Sequence, residues 1–157
     1  MSYDFNADEI FVMAEQIEAN GAKFYRDAAA NISDDGSKKL LLELASMEDD
    51  HQKTFQDLHS KLTAKEKQET VFDPDEESAL YLKALADTRV FFEKEIDLTS
   101  MKEILKAALV AEKDSIVFYL GMKDMVGKAL GQDKIDNIIK EEMAHIKLIG
   151  NKLREQK

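Results

Sequence analysis

Apolar residues recur at three- and four-residue steps from the start of the chain: Ile10, Met13, Ile17, Gly21, Phe24 and Ala28 make one helical stripe. Asn6 and Glu9 are spaced as a capping box with Asn in place of Ser or Thr, so a first helix is predicted from about Ala7 to about Asn31. Ser33-Asp34-Asp35-Gly36 is a turn signal. The period then resumes through Leu41, Leu44, Ala45, Met47 or Glu48, His51, Phe55 and Leu58, predicting a second helix from about Ser37 to Leu62. Thr99 is expected to cap a third helix, with Ile104, Ala108, Ala111, Ser115, Phe118 and Met122 on one face and Gly127 and Gly131 stopping it. A fourth runs from about Gln132 to Leu153, where Ile135, Ile138 or Ile139, Glu142, His145 and Ile149 share a face.

Periodicity vanishes from Thr63 to Asp75, and Asp73-Pro74 then reads as a cap and a first-turn proline opening a short helix through Ala79, Leu82 and Leu85. The expected organisation is a single domain over residues 1–157. One helical hairpin covers about 7–62, a crossover about 63–98 and a second hairpin about 99–153. No useful length of strand-like alternation is present. The fold class is therefore all-α, an antiparallel four-helix bundle whose two hairpins are joined by one long crossover containing a short helix. Val71-Phe72 and Phe91-Phe92 flank the crossover helix and either cover the bundle or form a dimer contact.

The two hairpins repeat each other at an offset of 94 residues without a gap. Ala14 maps onto Ala108, Glu18 onto Glu112, Phe24-Tyr25 onto Phe118-Tyr119, Glu48 onto Glu142, His51 onto His145 and Lys53 onto Lys147. The midpoint of Glu18 and Glu48 is residue 33, and that of Glu112 and Glu142 is residue 127. Both fall in or beside a predicted turn, so all four glutamates can occupy one layer of an antiparallel bundle. Glu48 with His51, and Glu142 with His145, stand at i and i+3 and project from one helix face. All six residues sit in apolar stripes where the period calls for Leu, and unpartnered burial would cost roughly several kcal/mol per carboxylate.

Composition narrows what can offset that cost. The chain has no cysteine, which excludes disulfides, thiolate zinc sites, iron–sulfur clusters and Cys nucleophiles, so any metal is held by oxygen and nitrogen. Four carboxylates neutralise two divalent cations, and an oxygen-rich set with two imidazoles suits Fe or Mn. A Glu from each of two helices plus Glu-x-x-His from each of the other two is the pattern of di-iron and di-manganese bundles. The formal net charge of −10, from 32 acidic and 22 basic residues, argues against a nucleic-acid partner. No apolar run approaches a membrane span, and the first residues, with Asp4, Asp8 and Glu9, do not form a signal peptide, so a cytoplasmic location is expected.

Tyr25 and Tyr119 follow Glu18 and Glu112 by seven residues, two turns along the same face; they either hydrogen-bond a ligand or carry a radical, or are simply core tyrosines. Glu15 and Glu141 neighbour the six but break the offset, and His59 has no counterpart, so all three are expected at the surface. Ser115 is expected to face the cluster, and Gly21 to permit close packing.

Through Glu18, Phe24-Tyr25, Glu48-x-x-His51, Glu112, Phe118-Tyr119 and Glu142-x-x-His145, the sequence resembles the rubrerythrin-type branch of the ferritin-like superfamily from about Glu9 to Leu153. The resemblance implies a centre of two Fe ions, with Mn, mixed Fe/Mn or, in isolated protein, Zn as alternatives. Glu48 and Glu142 would side with their histidines while Glu18 and Glu112 complete or bridge the metals. It also implies redox chemistry with a small-molecule oxidant, hydrogen peroxide or dioxygen, and a homodimer. Rubrerythrin peroxidases typically place a further carboxylate three residues after the third-helix glutamate, and here that residue is Ser115. With no cysteine there is no rubredoxin domain, so electrons would come from a separate donor protein or from the iron being oxidised. The alternative role is a non-catalytic iron carrier or sensor.

Overall fold

Four long helices build the fold: α1 (Ala7–Asn31), α2 (Asp35–Ser60), α3 (Met101–Val126) and α4 (Gln132–Glu155). They belong to a computed structural model that describes residues 7–62, 84, 96–126 and 131–156. α1 pairs with α2 and α3 with α4 as antiparallel hairpins; α1 also meets α3 and α2 meets α4, closing one four-helix bundle. Among the described residues there is no strand, and no helix is long and apolar enough to cross a membrane. Asn6, Gly127, the crossover helix with its Asp73-Pro74 start, and the Val71-Phe72 and Phe91-Phe92 pairs lie outside the described residues.

The helix ends follow local chemistry and correct the expected boundaries: α2 stops at Ser60 rather than Leu62, α4 runs on to Glu155 rather than Leu153, and two starts differ. α2 begins two residues before Ser37 because extended Asp34 is its cap, accepting hydrogen bonds from Ser37 N at 2.9 Å and Ser37 Oγ at 2.7 Å. α3 is capped by Ser100 rather than Thr99. Ser100 Oγ accepts from Glu103 N at 3.3 Å and its carbonyl from Ile104 N at 3.0 Å, whereas Thr99 gives its N–H and its hydroxyl to Asp97 Oδ1. The N-cap of α4 is Gly131, which holds φ +98°; a Cβ there would lie 2.6 Å from Leu58 Cδ2.

The periodic stripes form the core. Ile10, Phe11, Leu41, Leu44, Phe55, Ile104, Leu105, Phe118 and Met122 are fully buried, each contributing roughly 1.5–3 kcal/mol by leaving water. Phe24 and Phe118 meet the adjacent Tyr25 and Tyr119 edge-on, with ring centroids 5.5 and 5.8 Å apart. The position left open in α2 resolves to Glu48, which is fully buried while Met47 is 38% exposed. Ile138 and Ile139 are both buried. Within this apolar frame stand Glu18, Glu48, His51, Glu112, Glu142 and His145, together with Ser37 and Ser115.

Candidate metal centre

Each helix delivers its polar residues into the bundle at the same level. α1 brings Glu18 and α3 brings Glu112; α2 brings Glu48 and His51, and α4 brings Glu142 and His145, one helical turn apart on one face. Ligand atoms of Glu18, Glu48, His51 and Glu142 lie within 4.8 Å of one another, and so do those of Glu48, Glu112, Glu142 and His145. Glu48 and Glu142 belong to both groups, while Glu18 and Glu112 each belong to one. The overlap of the two groups therefore runs through Glu48 and Glu142.

Both imidazoles turn Nδ1 inward. His51 Nδ1 lies 2.8 Å from Glu142 Oε1, and His145 Nδ1 lies 3.3 Å from Glu48 Oε1 and 3.5 Å from Glu112 Oε1 and Glu142 Oε2. The rings stack on each other, centroids 5.6 Å apart. Among the described residues, the buried side-chain atoms without a hydrogen bond are Glu18 Oε2, both oxygens of Glu48, His51 Nδ1, Glu112 Oε2, both oxygens of Glu142 and His145 Nδ1. Every one belongs to the six residues singled out by the repeat. Buried polar atoms are otherwise almost always satisfied, so this inward set of oxygen and nitrogen donors fits a pair of cations, with these six residues as the holders.

The tyrosines cross between the hairpins. Tyr25 on α1 donates its hydroxyl to Glu112 Oε1 at 2.6 Å, and Tyr119 on α3 donates to Glu18 Oε1 at 2.5 Å. Of the readings open for them, hydrogen bonding to the candidate ligands is the one the structure places. Each bond engages Oε1 of a carboxylate and leaves its Oε2 without a hydrogen bond. Burial, and then the Glu112 and Glu18 charges, raise the two phenols well above their ordinary range, so they stay protonated donors.

The clustered carboxylates and imidazoles shift one another's pKa in opposite directions. Burial pushes Glu18 and Glu112 well above the usual carboxylate range, reinforced by Glu48 and Glu142. Burial also opposes ionisation of Glu48, but contacts with Glu18, His145 and His51 hold it below its ordinary value. Burial is likewise outweighed at Glu142, where Glu112 and the two imidazoles hold the carboxylate well down. Burial disfavours charge on the histidines too, yet the surrounding carboxylates drive His51 far up and push His145 up to about 12. With both imidazoles neutral, the four carboxylates would balance two divalent cations.

Three residues expected at the surface are engaged. His59 keeps only 19% of its side chain exposed. Its Nε2 lies 2.5 Å from Asp8 Oδ1 and its Nδ1 3.1 Å from Glu15 Oε1, so it ties α2 to α1, and its ring stacks on Phe11. Glu141 is exposed but reaches from α4 to His51 Nε2 at 2.5 Å. The matching contact, which sequence reasoning also missed, is Met47 Sδ at 3.0 Å from His145 Nε2. The offset itself pairs Met47 with Glu141, although their side chains differ. Ser115 is buried as expected, but its hydroxyl is taken by Ala111 O at 2.9 Å.

Two imidazole-bearing carboxylate groups sharing two glutamates inside a four-helix bundle define the class of ferritin-like diiron-carboxylate folds. The rubrerythrin family profile matches residues 9–152, and the chain belongs to that family. It is also similar in fold to a Thermotoga maritima protein solved by crystallography and described as a ferritin-like diiron-carboxylate protein. The TM-score is 0.75 at 24% sequence identity, over 100% of both chains. No match was found among curated proteins.

Proposed function

We propose that this chain is a cytoplasmic di-iron oxidoreductase that reduces hydrogen peroxide or dioxygen, by a peroxidase- or ferroxidase-type reaction, in oxidative-stress defence or iron handling. The observation that carries the reading is the set of inward, hydrogen-bond-free atoms on Glu18, Glu48, His51, Glu112, Glu142 and His145, divided into two groups that share Glu48 and Glu142. These six residues would hold two ferrous ions, which when bound would supply the two electrons for peroxide reduction, 2 Fe2+ + H2O2 + 2 H+ giving 2 Fe3+ + 2 H2O. The chain's own residues set the charge and the geometry. Four carboxylates balance two divalent ions, His51 and His145 present Nδ1, and the Tyr25 and Tyr119 hydroxyls hold Glu112 and Glu18 in place. The proposal extends to a homodimer and, for repeated turnover, an external electron-donor protein.

A second reading, a non-catalytic iron carrier or sensor, is favoured by one observation: Ser115 stands where the peroxidases carry a further carboxylate, and its hydroxyl is occupied by the backbone. Elemental analysis, followed by anaerobic ferrous loading and peroxide challenge, tests both. About two Fe per chain, with near-ultraviolet bands that form and bleach over repeated peroxide and reductant additions, is expected of the oxidoreductase. A single oxidation without turnover would establish the carrier or sensor, and no bound metal under any loading condition would refute the site.

A further inference from the structure

Resting on the di-metal reading above, we infer that the two cation positions are unequal, the one at His51 being the tighter because Glu141 backs that histidine while only Met47 backs His145. Nδ1 of each ring faces the cluster, so a neutral imidazole serving as a ligand carries its proton on Nε2 and donates it outward. The acceptors differ. His51 Nε2 meets the Glu141 carboxylate at 2.5 Å, a charge-assisted contact, whereas His145 Nε2 meets the Met47 thioether at 3.0 Å, a weak acceptor. A carboxylate behind a ligating imidazole fixes its tautomer and ring orientation and raises its electron density, and such partners change metal affinity by about 10–100-fold.

The candidate ligands and the tyrosines are matched between the halves, which makes the backing of the two histidines a polar difference between them. Glu18 corresponds to Glu112, Glu48 to Glu142 and His51 to His145, and the two tyrosine bonds are the same bond drawn in opposite directions. Among the other departures from the repeat beside the cluster, which include Phe55 against Ile149, Gly21 against Ser115 adds no free polar group, since Ser115 donates to Ala111 O. Both determinants also reach across the bundle. Glu141 on α4 supports the histidine of α2, and Met47 on α2 faces the histidine of α4.

The test is a Co(II) titration of the full-length, metal-free chain with 15N-labelled histidine, reading isotherms by calorimetry and ring resonances by NMR, with His59 as internal reference. The first equivalent is expected to shift His51 before His145. Glu141→Met should weaken the first step about 10–100-fold and make the two rings respond together. Met47→Glu should strengthen the second step by a similar factor, and the double exchange Met47→Glu/Glu141→Met should reverse the order. Both side chains are exposed, so the exchanges spare the core. Two ions bound in an order and with affinities the exchanges do not move, or both steps weakened equally by Glu141→Met, would overturn the inference and leave the di-metal reading standing. Failure to bind Co(II) at all would overturn both.

Discussion

Replacing Tyr25 by Phe removes one oxygen from the centre and little else. The ring is fully buried and braced edge-on by Phe24, so the phenyl stays in place while Glu112 Oε1 loses the hydroxyl 2.6 Å away. Glu112 Oε2 already makes no hydrogen bond, so the variant leaves a fully buried carboxyl with both oxygens short of a donor. An unsatisfied buried acceptor costs about 1–3 kcal/mol. For a chain of this length that is a drop of about 2–12 °C in Tm. The measurement is urea unfolding of metal-free protein, where no cation complicates a two-state transition. The repeat makes a second, parameter-free demand: Tyr119→Phe, which strips the same bond from Glu18, should cost a similar amount. The double variant should depart from additivity, because Glu18 and Glu112 are both coupled to Glu48 and Glu142. A change below about 0.5 kcal/mol for either single variant, the range of an ordinary surface substitution, would refute the argument that these hydroxyls hold the carboxylates.

Cations would displace protons from groups whose pKa the buried cluster raises, Glu18, Glu112, His51 and His145, so uptake should release protons and affinity should rise with pH; calorimetry in buffers of different ionisation enthalpy measures the release. Gly131→Ala should destabilise the fold by about 1–3 kcal/mol through the positive φ, since the nearby Leu58 methyl can turn aside but the backbone cannot; thermal unfolding measures it. His59 has a folded pKa raised by Asp8 and Glu15 against the opposing effect of burial. Its contribution is therefore full below about pH 6.5, the unfolded value, and fades as pH rises through the folded one. The stability gap between wild type and His59→Gln should accordingly shrink on the alkaline side.

The centre was legible because it violates a pattern. Six polar residues in stripes that should be apolar, repeated at one offset and equidistant from two turns, announce both the layer and its occupants before any coordinates. Their inner partners were half legible: Tyr25 and Tyr119 share the offset, but only the packing shows that each bonds the other hairpin's glutamate. Glu141, Met47 and His59 were not legible. A residue whose partner lies across a helix interface carries no periodic signature, and Glu141 and Met47 occupy exposed positions whose chemistry does not repeat. Helix caps failed for a smaller reason. Thr99 and Ser100 are both plausible caps, and the choice fell to Ser100 because Asp97 claims Thr99.

Sharing Glu48 and Glu142 between two groups has a consequence for the chain as a polymer. Cations held there would join α2 to α3 through Glu48 and Glu112, residues 64 positions apart in sequence, and so close a loop containing the whole crossover. A covalent link across a loop of that length removes about 4 kcal/mol of chain entropy from the unfolded state. A protein without a single cysteine would thereby carry a staple of disulfide strength, fastened by metal supply and opened by chelation or acid rather than by thiols.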